Sequence, residues 1–294
     1  MDNQTLLSSA EEVRNWDELP PDILSHIFLK LGAIDILFNA QSVCSAWPEV
    51  SKEPSLFRSI EISLDMQNRW RHAGLFEDRL YQLEKLAKES ADRSCGQLVK
   101  FSMERFDSDE LLACSDSLRC LRLVSCDKVS EDALVNMAKK AVLLEELEIC
   151  HCSFSADMLK TIGKVWPQLK SFRLNRRGYR FPHRERDDEA LAIAENMPQL
   201  RRLHLFGNKL TNVGLRAILD GCLHLESLDL RQCFNLNLEG DLLKICGDTP
   251  IKIRLPNDST NLMMQSHTDI MISLRVNTRI SLTKLQAIFD SLGI

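Results

Sequence analysis

"LRCLRLVSC" (118–126) returns along the chain with only its filling changed: "LEELEICHC" (144–152), "LKSFRLNRR" (169–177), "LRRLHLFGN" (200–208) and "LESLDLRQC" (225–233). Each copy opens Leu-x-x-(Leu/Phe)-x-(Leu/Ile), and the starts lie 26, 25, 31 and 25 residues apart. A weaker copy, "LVKFSMERF" from Leu98, precedes them. A decayed one, "PIKIRLPND" from Pro250, follows 25 residues after Leu225. An apolar side chain at every second position faces one side of a short strand, so Leu121 and Leu123, or Leu228 and Leu230, point inward. Each unit returns through a helical stretch: "DALVNMAKKA", "ADMLKTIGKVW", "DEALAIAEN" and "VGLRAILDGC". One such unit cannot bury its apolar face alone, but stacked units can. The fold class is therefore α/β, a solenoid with a curved parallel sheet inside and helices outside.

Period and pattern resemble the leucine-rich repeat, and residues 98–255 are assigned to it. The ninth position of the units holds Cys126, Cys152, Asn208 and Cys233, where a small polar side chain can bond backbone groups as the chain leaves the strand. The third full unit has Arg177 there, where six or so extra residues begin in "RRGYRFPHRERDDE" (176–189). Ten cysteines thus have a mostly structural explanation. A metal site at Cys150, His151 and Cys152 lacks a second pair at zinc spacing. No thiol has a His and Asp/Asn partner to make it a nucleophile, so no cofactor and no catalytic residue is expected.

Composition sets outer limits. The 294 residues are 44% hydrophobic and 27% charged, with net charge −5. That mild acidity makes nucleic acid an improbable partner. No run reaches the roughly 18 apolar residues of a membrane span, and "MDNQTLLSSAEEVRN" lacks the basic and apolar parts of a secretory signal. Reduced thiols in nucleus or cytoplasm are the expectation.

The repeat leaves residues 15–62 unexplained. "NWDELPPDILSHIFLKL" (15–31) places Ile23, Leu24, Ile27, Phe28 and Leu31 on one broad helical stripe. Pro20 and Pro21 suit a helix entrance, and Asp22 suits its positive end. A second helix, capped by Asp35, carries Ile36, Leu37, Ala40, Val43 and Cys44, and Trp47-Pro48 breaks it. Three short helices make a small core with a large apolar supply, so part of that supply should stay exposed for a partner.

Here the chain resembles the F-box. The matching positions are Leu19, Pro20, Ile23, Leu24, Ile27, Phe28, Leu31, Val43, Cys44, Trp47, Leu56, Phe57 and Arg58. An F-box followed by cysteine-bearing repeats resembles the F-box/leucine-rich-repeat class, and units such as "FGNKLTNVGL" look most like its plant members. The resemblance implies a non-enzymatic substrate receptor of an SCF-type ubiquitin ligase. Its F-box would dock on a Skp-family adaptor, which links it to cullin and RING subunits that carry the chemistry. The implied adaptor-binding residues are Leu19, Pro20, Ile23, Leu24, Ile27, Phe28, Leu31, Val43, Cys44 and Trp47. The alternative is a repeat scaffold without a ligase role.

The remaining segments are assigned as a disordered start (1–14), a helical linker or N-terminal cap (63–97) with Leu75, Leu80, Leu83 and Leu86 on one side, and an irregular C-terminal cap or tail (256–294). A substrate would meet the concave sheet face, where residues alternate with the core leucines: Arg122, Glu146, Glu148, Arg173, Arg202, His204, Phe206, Asp229, Arg231 and Arg254. The later half reads as net basic and suits an acidic or phosphorylated segment. The inserted loop, with Arg180 and Arg184 among its cations and Tyr179 and Phe181 among its aromatics, is a second candidate surface.

Overall fold

The computed structural model describes residues 19–38, 40, 47–63, 66–67, 79–112, 116–176 and 185–260. Helix α1 (Pro21–Leu31) starts on two prolines, holds Asp22 in its first turn and Lys30 in its last, and stops at Gly32. Gly32 takes φ +89°, and its N–H donates to the Phe28 carbonyl at 3.0 Å. Helix α2 (Ala33–Phe38) follows directly, with Asp35 buried inside its first turn rather than at the cap position expected for it. Trp47 opens a single turn, α3 (Trp47–Val50), and the stretch before it, 41–46, where the second helix was expected to run up to the Trp47-Pro48 break, lies outside the described residues. A proline second in a helix gives up no needed hydrogen bond, which is why Pro48 permits the turn. A 3-10 turn (Pro54–Phe57) leads into strand β1 (Ser59–Ile62), and helix α4 (Arg79–Arg93) comes next.

From there strand and helix alternate: β2 (Lys100–Glu104), α5 (Asp109–Leu112), β3 (Cys120–Val124), α6 (Glu131–Lys140), β4 (Glu146–Cys150), α7 (Ala156–Val165), β5 (Ser171–Asn175), α8 (Asp188–Asn196), β6 (Arg202–His204), α9 (Asn212–Gly221), β7 (Ser227–Asp229), α10 (Gly240–Asp248) and β8 (Lys252–Arg254). The eight strands form one parallel sheet in chain order. Its register stacks Ile60, Phe101, Leu121, Leu147, Phe172, Leu203, Leu228 and Ile253 in one row. All but Ile253 are buried.

The sheet thus begins inside the front module, at Ser59, and not in the first repeat copy, which starts at Leu98 and supplies β2. One continuous core runs from Leu24 and Phe28 through Ile60 and Phe101 to Leu230 and Leu242. The small core expected of the front helices is completed by the solenoid. Helix α2 packs on α4 and β1, and Leu83, Ala87 and Ala91 of α4 are buried. Leu75 lies outside the described residues, as do the expected disordered start and residues 261–294 of the expected tail.

Three recurring devices hold the units in step. Ninth-position thiols donate backward to the preceding strand: Cys126 to the Met103 carbonyl (3.5 Å), Cys152 to Leu123 (3.7 Å) and Cys233 to Leu205 (3.0 Å). In the unit with the insertion, the neighbouring Arg176 enters the column instead. Its guanidinium donates to the Cys152 carbonyl and pairs with buried Glu189, whose other oxygen accepts from Asn208 at 2.8 Å. Eighth positions turn the chain in the left-handed region, at Arg105, Ser125, His151, Gly207 and Gln232. Finally, a carboxylate of one unit accepts from the N-cap residue of the next: Asp109 from Ser130, Glu131 from Ser155 and Asp187 from Thr211.

Candidate functional site

The front stripe is largely consumed within the chain. Leu24, Ile27, Phe28 and Leu31 are buried, as is Trp47, whose ring meets Phe28 edge-on at 5.3 Å. Of the residues expected to face an adaptor, Pro20 is exposed, and Leu19 and Ile23 are half-buried against the core. Val43 and Cys44 lie outside the described residues. The buried five define the shape of the surface rather than form it, because three short helices need that stripe for packing. One surface residue was missed. Leu29 is 57% exposed, on the same side of α1 as Asp22 and His26, seven and three residues before it. The signal was there: an apolar residue interrupts the polar face of an amphipathic helix.

The concave face is more polar than the front. Its middle row runs Glu61, Ser102, Arg122, Glu148, Arg173, His204, Asp229 and Arg254 across the eight strands. Arg122 donates to Glu148 at 3.1 Å and to the Ser102 hydroxyl at 3.3 Å, and Arg173 reaches the same Glu148 at 3.7 Å. One row away, Arg202 spans β5 to reach Glu146 at 2.8 Å.

Asp229 and Arg231 depart from expectation. Strand alternation places both in solvent, yet they are 3% and 1% exposed. The guanidinium of Arg231 grips the Asp229 carboxylate through Nε (2.9 Å) and Nη2 (2.7 Å). It also donates to the Ser259 carbonyl at 2.9 Å and lies 5.8 Å from the Phe206 ring centroid. The chain after β8 brings the Ser259 carbonyl onto this pair. Burial works against charge on Asp229, but His204 at 3.6 Å and the hydrogen bonds from Arg231 outweigh it and hold the carboxyl well below the usual carboxylate range. Asp229 and Arg231 are therefore a structural support beneath the face, and His204, Phe206 and Arg254 are its surface.

The remaining candidates separate. Arg180 and Arg184 lie outside the described residues. Cys150 and Cys152 bond different partners, the Glu148 carboxylate at 3.5 Å and backbone carbonyls. Burial, then the nearby Glu148 charge, pushes the Cys150 thiol up to about 12, and burial pushes Cys233 up to about 12 and Cys222 up to about 11. These are unreactive packing thiols.

Two family models match the chain: an F-box-like domain over residues 16–63 and a leucine-rich repeat over residues 196–219. Three Arabidopsis thaliana relatives span most of it. F-box protein SKIP19 is 46% identical over 84% of this chain and 79% of its own length. Putative F-box/LRR-repeat protein 23 is 45% identical over 86% of this chain and 56% of its own. Putative F-box/LRR-repeat protein 22 is 43% identical over 86% and 80%. The chain therefore spans little more than half of one of these relatives and about four fifths of the other two.

Proposed function

The chain belongs to the F-box/LRR-repeat family, and on that premise we propose that it is the substrate-recognition subunit of an SCF-type ubiquitin ligase. The front module docks on a Skp-family adaptor, and the concave face of the repeats holds a protein substrate. The polypeptide itself does no chemistry in this reading; cullin and RING subunits, reached through the adaptor, bring the ubiquitin donor. One observation carries it: an F-box-like module shares a single core and a single sheet with the repeats. A receptor needs that rigidity to present a substrate at a fixed offset from the docking site.

The docking surface in this reading is the exposed rim of α1, from Leu19 and Pro20 to Ile23, together with Leu29. An apolar helix face laid in a partner groove is a recurrent binding mode, with a few anchors dominating the energy.

The test is a binding titration of full-length protein against a purified Skp-family adaptor, wild type beside Pro20→Ala and Leu29→Asp. Both substitutions are on the surface, so their melting temperatures should match wild type. The expected result is adaptor binding weakened at least tenfold by Leu29→Asp. Failure of folded wild type to bind would overturn the receptor reading and favour a repeat scaffold without a ligase.

A further inference from the structure

The concave face has two electrostatic halves. On β2 to β4 the carboxylates Glu104, Glu146 and Glu148 accompany Lys100 and Arg122. Among the described residues of β5 to β8 and the turns that follow them, the outward-facing cations are Arg173, Arg202, Lys252 and Arg254, with the His204 imidazole between them. The lone carboxylate facing this half from its own strands, Asp229, is buried and gripped by Arg231. Three further carboxylates border the patch. Glu146 pairs with Arg202 at 2.8 Å, Glu148 is shared between Arg122 and Arg173, and Asp258 accepts from the Leu255 N–H at 2.8 Å.

Arg173 and Arg254 bracket this half. Arg173 is 3.7 Å from Glu148, which Arg122 holds more closely at 3.1 Å. Arg254 is 3.8 Å from Asp229, which Arg231 holds at 2.7 Å. Their side chains are 45% and 52% exposed. Among the described residues, neither guanidinium forms a two-pronged contact with a carboxylate, the geometry in which arginine binds anions best. Between them lie His204 and the half-buried ring of Phe206, held from beneath by Arg231.

From these positions we propose that the surface over β5 to β8 binds an extended acidic protein segment lying across the strands, one anion on Arg173, a second on Arg254, and an apolar side chain against Phe206. This rests on the receptor reading and gives it a substrate class. The spacing follows from the fold. Arg173 and Arg254 share a row three strand steps apart, about 14 Å at about 4.8 Å per step, and an extended peptide covers that in about four residues. The segment therefore has the form acidic-x-x-x-acidic with an apolar residue between.

The probe is a fluorescent peptide with two glutamates four apart around a central leucine, titrated by anisotropy into full-length protein. Two companions replace both glutamates, with phosphoserine in one and lysine in the other. Arg173→Glu and Arg254→Glu are the variants, and Arg216→Glu, on the exposed side of α9, is the charge control. The expected result is binding of the glutamate or phosphoserine peptide, weakened at least tenfold by either variant and by 0.5 M salt (roughly a 3 Å Debye length is reached near 1 M), and unaffected by Arg216→Glu. The double variant should take the lysine peptide instead. Whichever acidic peptide binds more tightly identifies the anion as carboxylate or phosphate. Equal binding of acidic and lysine peptides, or no binding of either acidic peptide, overturns the proposal. Adaptor binding is measured on the same preparation. Adaptor bound without peptide sinks the acidic-segment inference alone, and peptide bound without adaptor sinks the receptor reading alone.

Discussion

Asp229 accepts from both Nε and Nη2 of the Arg231 guanidinium and faces His204 and Arg254, so one buried carboxylate answers two arginines and an imidazole. Removing it would leave the Arg231 charge buried without its partner. Asp229→Asn should cost about 3–5 kcal/mol at pH 7, measured by urea unfolding. Because the folded pKa lies below the unfolded one, this contribution is complete above about pH 4 and fades as pH falls toward the folded value. The gap between wild type and variant should therefore narrow in acid. A loss under about 1 kcal/mol, or a gap that ignores pH, would mean that Arg231 finds other partners. Alternation in the sequence puts these two residues on the solvent side of their strand. The Ser259 carbonyl meets Arg231 from 28 positions away, a contact that no local pattern encodes.

At the scale of elements, the strands from β2 to β8 and the helices α6 to α9 between them were legible because each apolar row repeats. Strand β1 was not, since "RSIEI" alternates over too few residues to stand apart from the helical text around it. Nor was the substitution of Arg176 for a ninth-position cysteine, because the side chain that fills the column sits one residue early. Helix spacing, too, is set by side chains that are missing. A Cβ added at Gly221 would lie 2.4 Å from the Ala194 carbonyl oxygen on α8, a backbone atom that cannot swing away. At Gly247, on α10, an added Cβ meets nothing within 4 Å. Alanine is the better helix former at both places. Gly221→Ala should nevertheless cost about 1–3 kcal/mol through overpacking, while Gly247→Ala should gain up to about 1 kcal/mol. Paired thermal melts check this, and equal shifts of the same sign would refute the close-approach account.

Across the whole molecule, the front helices and the repeats are one body by their packing. Trp47 reports on the first and Trp166, whose indole N–H donates to the Ala141 carbonyl at 2.9 Å, reports on the second. Leu31→Ala deletes buried bulk only at the front and should cost about 2–5 kcal/mol. In variants keeping one or other of these tryptophans as the reporter, the urea midpoint should fall equally for both. A shift confined to Trp47 would make the front module a separately unfolding unit. A front module and a repeat stack, with residues 63–97 between them as a helical linker or N-terminal cap, was the expectation from sequence. The shared core was not visible there because its front and rear halves follow different periodicities, and only the fold brings Phe57 and Ile60 against α4 and β2.

The unbroken sheet from β1 to β8 also works as a ruler. A segment held over β5 to β8 sits four to seven strand steps from β1, about 19–34 Å at the usual strand spacing. That distance is counted in whole units and does not depend on the slack of a tether. Inserting or deleting one repeat would move the cargo in a jump of roughly 5 Å, with a small rotation from the sheet's curvature. Reach in such a molecule is digital, and a lineage adjusting it can do so only by whole repeats.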